Sequence, residues 1–281
     1  MALIRPRQLY SPSNFNKIHT AFTQHYPNYL FNNPHLSKTV IAIPTVDLAV
    51  TYHPQQALQQ LRMQIKLDSL QDRALRFVEL LSQESRVQIE NFGVHGSLCL
   101  NMHTHFSDID LSVYGANNFR KVMDTVQKLI LQDELVALFE HESDRYRKNK
   151  GLFEDTKFVL NAIRQYSEIT EMYGDYSYHP LQPVKLCCDV SDDQEAFFKP
   201  AIYGITNCHP PLSSLIADVD EDPTSLISMI GQYRGIAQKR QSVQAFGMVE
   251  KVTNTTSRIE YRVVIGSGKI GPEEYIWPVS N

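Results

Sequence analysis

The chain has 281 residues, 42% of them apolar and 21% charged, with a formal net charge of −4. That is the make-up of a soluble globular protein of one large domain or two modest ones. It excludes a global basic field, so any nucleic-acid contact has to rest on local patches. Nowhere do about 18 apolar residues run together, and residues 1–10 lack the apolar core of a signal peptide, so no membrane span is predicted and the expected setting is cytoplasmic. Cys99, Cys187, Cys188 and Cys208 show no Cys-x-x-Cys spacing and read as thiols of a reducing compartment.

Taken in order, residues 1–67 are read as a β-rich segment. Tyr29-Leu30-Phe31 and Val40-Ile41-Ala42-Ile43 are β-prone runs separated by a loop beginning Asn32-Asn33-Pro34. From Asp68 the pattern turns helical, with Leu70, Ala74, Phe77, Val78 and Leu81 at i, i+4, i+7, i+8 and i+11. Residues 87–94 read as a strand that delivers the chain to Gly96-Ser97. After ten intervening residues come Asp108-Ile109-Asp110, inside an alternation where Ile109, Leu111 and Val113 share one parity and the two carboxylates the other. Both carboxylates are therefore expected on one strand face, close enough to repel, and a shared divalent cation is the usual relief.

Asn117 is the predicted cap of a helix carrying Phe119, Val122, Met123, Val126, Leu129 and Ile130. Further helices are predicted at 133–141, 154–166 and 225–233, and between the first two lies a cationic stretch of Arg145, Arg147, Lys148 and Lys150. Strands are expected at 184–190, 202–205, 242–252 and 259–265, with Gly247 allowing a sharp bend. The fold class is α+β.

Gly-Ser, about ten residues, then Asp-x-Asp in a strand resembles the signature of the DNA polymerase β-type nucleotidyltransferase superfamily. The whole chain is similar to a mainly archaeal family of predicted nucleotidyltransferases in which such a core is fused to a small β-barrel. The residues carrying this closer match are Arg147 to Gly151, Val190 to Ala196 leading to Lys199–Tyr203, Tyr233-Arg234-Gly235, and Tyr261 to Gly266. The resemblance implies a mixed-sheet nucleotidyltransferase core at 68–200 and an OB-like barrel at 201–281; residues 1–67, the least readable part, are a β-rich segment for which packing on the barrel is one expectation. It implies that Gly96 and Ser97 cradle a triphosphate, that Asp108, Asp110 and a third carboxylate hold Mg2+ or Mn2+, and that Arg147, Lys148 and Lys150 contact phosphates.

Asp189 is taken as the third carboxylate because such sites place it on a strand adjoining Asp-x-Asp; Asp175, in a loop, is the competitor. His95, His103 and His105 crowd the linker and are read as loop residues. The activity so implied is transfer of a nucleoside monophosphate from an NTP to an acceptor hydroxyl; the resemblance names no acceptor, and RNA is one candidate. In that case Tyr233, Arg234, Tyr261, Arg262 and Trp277 are candidate groups for stacking or backbone contact. The alternatives are a non-catalytic nucleotide- or RNA-binding protein that keeps the fold, and a modifier of a protein or small molecule.

Overall fold

The structure, a computed structural model, describes residues 14–147, 149–217, 219, 221–268 and 273–279. Helix α1 (Phe15–His25) precedes a hairpin of β1 (Leu30–Asn33) and β2 (Lys38–Ile41), so the β-rich reading of the first residues holds for the hairpin alone. The hairpin turn reaches the later part of the chain, where the Tyr178 N–H donates to the His35 carbonyl at 2.6 Å. Helix α2 (Pro54–Met63) then sends Leu58 and Leu61 into the first of two cores.

Helix α3 (Ser69–Ser85) starts where the pattern placed it. Asp68 Oδ1 accepts from the Leu70 and Gln71 N–H groups at 2.9 and 3.0 Å, and the Gln71 side chain returns a bond to the Asp68 N–H. Such a reciprocal cap contributes about 1 kcal/mol. Its stripe of Leu70, Ala74, Phe77, Val78 and Leu81 is buried, each large side chain contributing roughly 1.5–3 kcal/mol.

Next come β3 (Phe92–Val94), the single turn α4 (Gly96–Cys99), β4 (Ile109–Tyr114) and α5 (Ala116–Leu131), which begins after Gly115 at φ +96° instead of at Asn117. The predicted strand at 87–94 is shortened by a 3-10 turn at Ile89–Asn91. Neither helix predicted at 133–141 nor that at 154–166 exists. Val136–Ala137 is β5, a two-residue edge strand, while β6 (Lys150–Phe153) and β7 (Thr156–Ile163) make a tight hairpin. Its two turn residues, Glu154 and Asp155, are both left-handed, a backbone that ordinarily takes Asn-Gly or Asp-Gly. Glu154 holds the position because its carboxylate is tied to Arg73 and Arg76 of α3.

These strands form a sheet in the order β3-β4-β7-β6-β5, with β4 and β7 parallel and the other neighbours antiparallel. Helices α3 and α5 pack with its apolar face, where Ile109, Leu111 and Val113 of β4 meet Phe158 and Leu160 of β7.

The second core is surrounded by β8 (Tyr176–Asp192), β9 (Ala201–His209), β10 (Ser225–Ser228), β11 (Ser242–Asn254), β12 (Ile259–Ile265) and β13 (Tyr275–Pro278). Strand β12 pairs with both β10 and β11, so β12-β10-β9-β8-β11 close into a ring, with β13 added along β11. Residues 225–233 are thus a strand followed by a 3-10 turn at Gly231–Tyr233, not a helix. Because β8 belongs to this ring, residues 176–192 are part of the second unit, which therefore starts upstream of 201. Gly247 is where the bend was expected: a Cβ there would lie 2.6 Å from the Val264 carbonyl oxygen, so the strands approach closely.

The segment between β8 and β9 joins the two units. Arg120 donates to the Asp193 carbonyl at 2.6 Å, Arg164 pairs with Glu195 and lies 4.3 Å from the centre of the Phe198 ring, and Phe198 itself is buried in the first core. No helix among the described residues is long and apolar enough to cross a membrane.

Candidate functional site

Strand β4 buries Ile109, Leu111 and Val113 completely, which turns Asp110 and Ser112 to the opposite face, and Asp108 comes one residue before the strand. The chain reaches this face from β3 through His95, whose N–H donates to the Asp110 carbonyl at 2.7 Å, and then makes the Gly96-Ser97 turn. Gly96 has φ +58°, and a Cβ built on it would overlap Asp110 Oδ2. The Gly-Ser turn and the second aspartate, far apart in sequence, are therefore in contact, and only glycine permits that approach.

The parallel register sets Val159 beside Asp110 and Asn161 beside Ser112, and Lys150 of β6 stands beside Val159. Strand β7, the neighbour of β4, thus presents Val159 and Asn161 to this face and no carboxylate. Ser112 Oγ is buried without a hydrogen-bond partner among the described residues.

The other predicted residues are placed as follows. Asp189 is on β8, which is not hydrogen-bonded to β4 or β7. Val184, Leu186, Cys188 and Val190 point into the ring and Asp189 points outwards, accepting from Ser242 Oγ at 2.6 Å and Asn207 Nδ2 at 2.9 Å. Those two bonds hold its carboxyl below the usual range. Asp189 is accordingly not on a strand adjoining Asp-x-Asp; the expectation failed because residues 154–166 were read as helix, which hid β7. Asp175 caps its own loop by accepting from the Met172 N–H at 2.7 Å. Among the described residues no three His, Cys, Asp or Glu side chains gather as metal ligands.

Within the cationic stretch, Lys150 is buried between Asp144 at 2.6 Å and Glu140 at 3.0 Å. Arg147 is half-buried and donates to Asn149 Oδ1 at 3.1 Å. Lys148 lies outside the described residues. Arg145, Arg147 and Lys150 also line a cavity of about 200 Å3 between the end of α5 and β5, with Ile130, Leu138 and Phe139 as its apolar wall.

Two residues missed in the sequence complete this region. Asn161 would have been visible as an alternate position had β7 been recognised. Arg234, read only as an acceptor contact, crosses from the ring to donate to Asn161 Oδ1 at 2.9 Å. His95 is exposed, yet burial of part of it and the nearby Arg234 guanidinium hold its pKa below the ordinary histidine value. His103 bonds Asp68 at 2.8 Å and ties the linker to the cap of α3, while the exposed His105 lies against Phe106 with the rings tilted by 41°.

Among the aromatic groups proposed to stack bases, Tyr233 is buried and packs edge-on against Trp277 at 5.5 Å, and Tyr261 leans on the same core. Arg262 is paired with Glu250 at 2.7 Å and stacked on Tyr178. These groups brace the ring, so Tyr233 offers no stacking platform.

Among known proteins, no family model matches the chain and no solved structure matches it. The chain is similar to the uncharacterized protein MJ1086 of Methanocaldococcus jannaschii, with 28% identity over 224 residues. That match covers 72% of this chain and 62% of the relative, so the chain spans less than two thirds of the length of the protein it resembles.

Proposed function

We propose that the chain is a metal-dependent nucleotidyltransferase that moves a nucleoside monophosphate from an NTP to an acceptor hydroxyl, the ring of strands being an OB-like barrel beside the transfer core. The observation that carries this reading is the contact between Gly96 and the Asp110 carboxylate, which makes the Gly-Ser turn and the Asp-x-Asp strand one site. In it, Gly96 and Ser97 bind phosphate oxygens through backbone N–H groups and the Ser97 hydroxyl. Asp108 and Asp110 are two carboxylates on one face, a set that magnesium or manganese accepts when water and phosphate oxygens fill its other positions. When bound there, the cation neutralises triphosphate charge and favours ionisation of the attacking hydroxyl. The acceptor oxygen bonds to the α-phosphorus, the bond to the bridging oxygen breaks, and pyrophosphate leaves. Positioning and charge supply the rate, so no nucleophilic side chain is required. A cytoplasmic setting accords with the four free cysteines.

A second reading, nucleotide binding without transfer, is favoured by one observation: β7 brings no carboxylate beside Asp110, and Asp189 stands on another sheet. The fit is thus to one cation, not two. The deciding experiment incubates the protein with each labelled NTP, magnesium or manganese, and total cellular RNA. Transfer predicts label in an acceptor, lost by several orders of magnitude in Asp110→Asn and retained in Asp189→Asn. NTP binding with no labelled product under any condition would overturn transfer in favour of binding alone. Label in protein or a small molecule but not RNA would keep the chemistry and change the acceptor.

A further inference from the structure

Three stretches that mark this chain, Arg147 to Gly151, Val190 to Tyr203 and Tyr233-Arg234-Gly235, are distant in sequence but meet where the two units touch. The Gly235 N–H donates to the Ala196 carbonyl at 2.9 Å, Phe197 fills the space a Cβ at Gly235 would need, and the Tyr203 hydroxyl donates to the Tyr233 carbonyl. The turn at Glu142–Arg145 packs against that at Gly231–Tyr233. Arg147 and Arg234 enter this junction from opposite sides, one from each unit.

Their partners are unusual for half-buried cations. Arg147 donates to the neutral amide of Asn149, and Arg234 to that of Asn161. Asn149 is itself locked to Leu160: the Leu160 N–H donates to its carbonyl at 2.7 Å and its Nδ2 to the Leu160 carbonyl at 2.9 Å. Both guanidiniums therefore hang from consecutive positions of β7. Among the described residues no carboxylate lies within ion-pair distance of either; Asp144, already paired with Lys150, attracts Arg147 only from farther off, and Arg147 Nε is buried with no acceptor. Burial and then the Arg147 charge bring the Arg234 pKa down to about 10. Two adjoining, partly desolvated cations held by neutral groups are costly unless an anion completes them, and guanidiniums match phosphate oxygens two bonds at a time.

We propose that Arg147 and Arg234 form a composite oxyanion seat for the terminal phosphates of a triphosphate, half of it supplied by each unit. Asn161 stands beside Ser112, two residues beyond Asp110 on the same face, so the seat continues the row that contains the Gly96-Asp110 contact. The identity of the ligand rests on the nucleotidyltransferase reading; the seat itself rests on the two arginines. It gives the ring a direct part in phosphate binding and not only in holding an acceptor.

The test is calorimetric titration of inorganic tripolyphosphate, without divalent cation, into wild type, Arg147→Gln, Arg234→Gln and the double variant, each checked by thermal melt. Wild type is expected to bind saturably and each single variant to bind roughly ten- to a hundred-fold more weakly, the size of a lost charged hydrogen bond. Because each change relieves repulsion between like charges, Tm should be unchanged or higher; a purely structural arginine would lower it. In wild type, the Nε–H resonances of Arg147 and Arg234 should move on titration while that of exposed Arg258 does not. Failure of wild type to bind, equal affinity in the folded double variant, or unmoved Nε resonances at both arginines would each overturn the seat. Label transfer is scored separately: tripolyphosphate binding without transfer leaves the seat and removes the enzyme reading, whereas undiminished transfer by the double variant does the reverse.

Discussion

Gly96 has the narrowest tolerance of any residue at the site. Its left-handed backbone costs an L side chain roughly 1–2 kcal/mol, and a Cβ would occupy the place of the Asp110 carboxylate. Gly96→Ala is therefore expected to lower Tm by only about 2–8 °C. Its metal-dependent NTP affinity should nonetheless fall at least as far as that of Asp110→Asn. Calorimetric affinities of the two variants beside their melting curves check this; normal affinity in Gly96→Ala would show that the turn and Asp110 do not act together. At this scale the sequence was legible where side-chain parity decides placement, as for Asp110 and the buried Ile109. It was not legible where a partner from another element decides it. Lys150 looked like a phosphate contact because Asp144 and Glu140, its partners, are brought to it only by the turn at Glu142–Arg145.

Among the elements, the hairpin of β6 and β7 governs the site because β7 lies against β4. Its sequence concealed it for two reasons. Glu-Asp occupies a turn that usually takes Asn-Gly or Asp-Gly, and apolar Val159 and Ile163 on the far face blur the alternation of buried Phe158, Leu160 and Ala162. The helix stripes of α3 and α5, by contrast, were plain because one face alone is apolar. At the head of β6 the Lys150–Asp144 pair is buried. Burial alone would raise the Asp144 carboxyl, but Lys150 and the N–H groups of His141 and Glu140 outweigh it and hold the pKa below the ordinary value. A folded-state pKa below the unfolded one means stability present above the unfolded value and lost as pH falls through the folded one. Lys150→Met should thus cost about 3 kcal/mol or more at neutral pH, by leaving Asp144 buried without its cation. It should also flatten the loss of stability that wild type shows below about pH 4. Urea unfolding from pH 7 to pH 3 measures both, and a variant as stable as wild type at pH 7 would return Lys150 to the list of phosphate ligands.

For the whole molecule, two hydrophobic cores meet at a junction built from Arg120, Arg164, Phe197 and Phe198, and Arg147 and Arg234 lie close enough there to repel. Alternating strands in the last third of the sequence announced the second unit. Its start could not be read, because β8 continues without a break from a loop into the ring and carries Asp189 on the outer face. On the proposed function, the Gly96-Ser97 turn and the Asp108-Asp110 pair form one cation-dependent polyphosphate site. Equilibrium titration of each of the four NTPs into wild type and Asp110→Asn, with and without magnesium, tests it most directly. At least one NTP should bind wild type saturably in the presence of magnesium, and binding should weaken sharply when magnesium is withheld or Asp110 is changed. Absence of NTP binding, or the same magnesium-dependent affinity in folded Asp110→Asn, would contradict it.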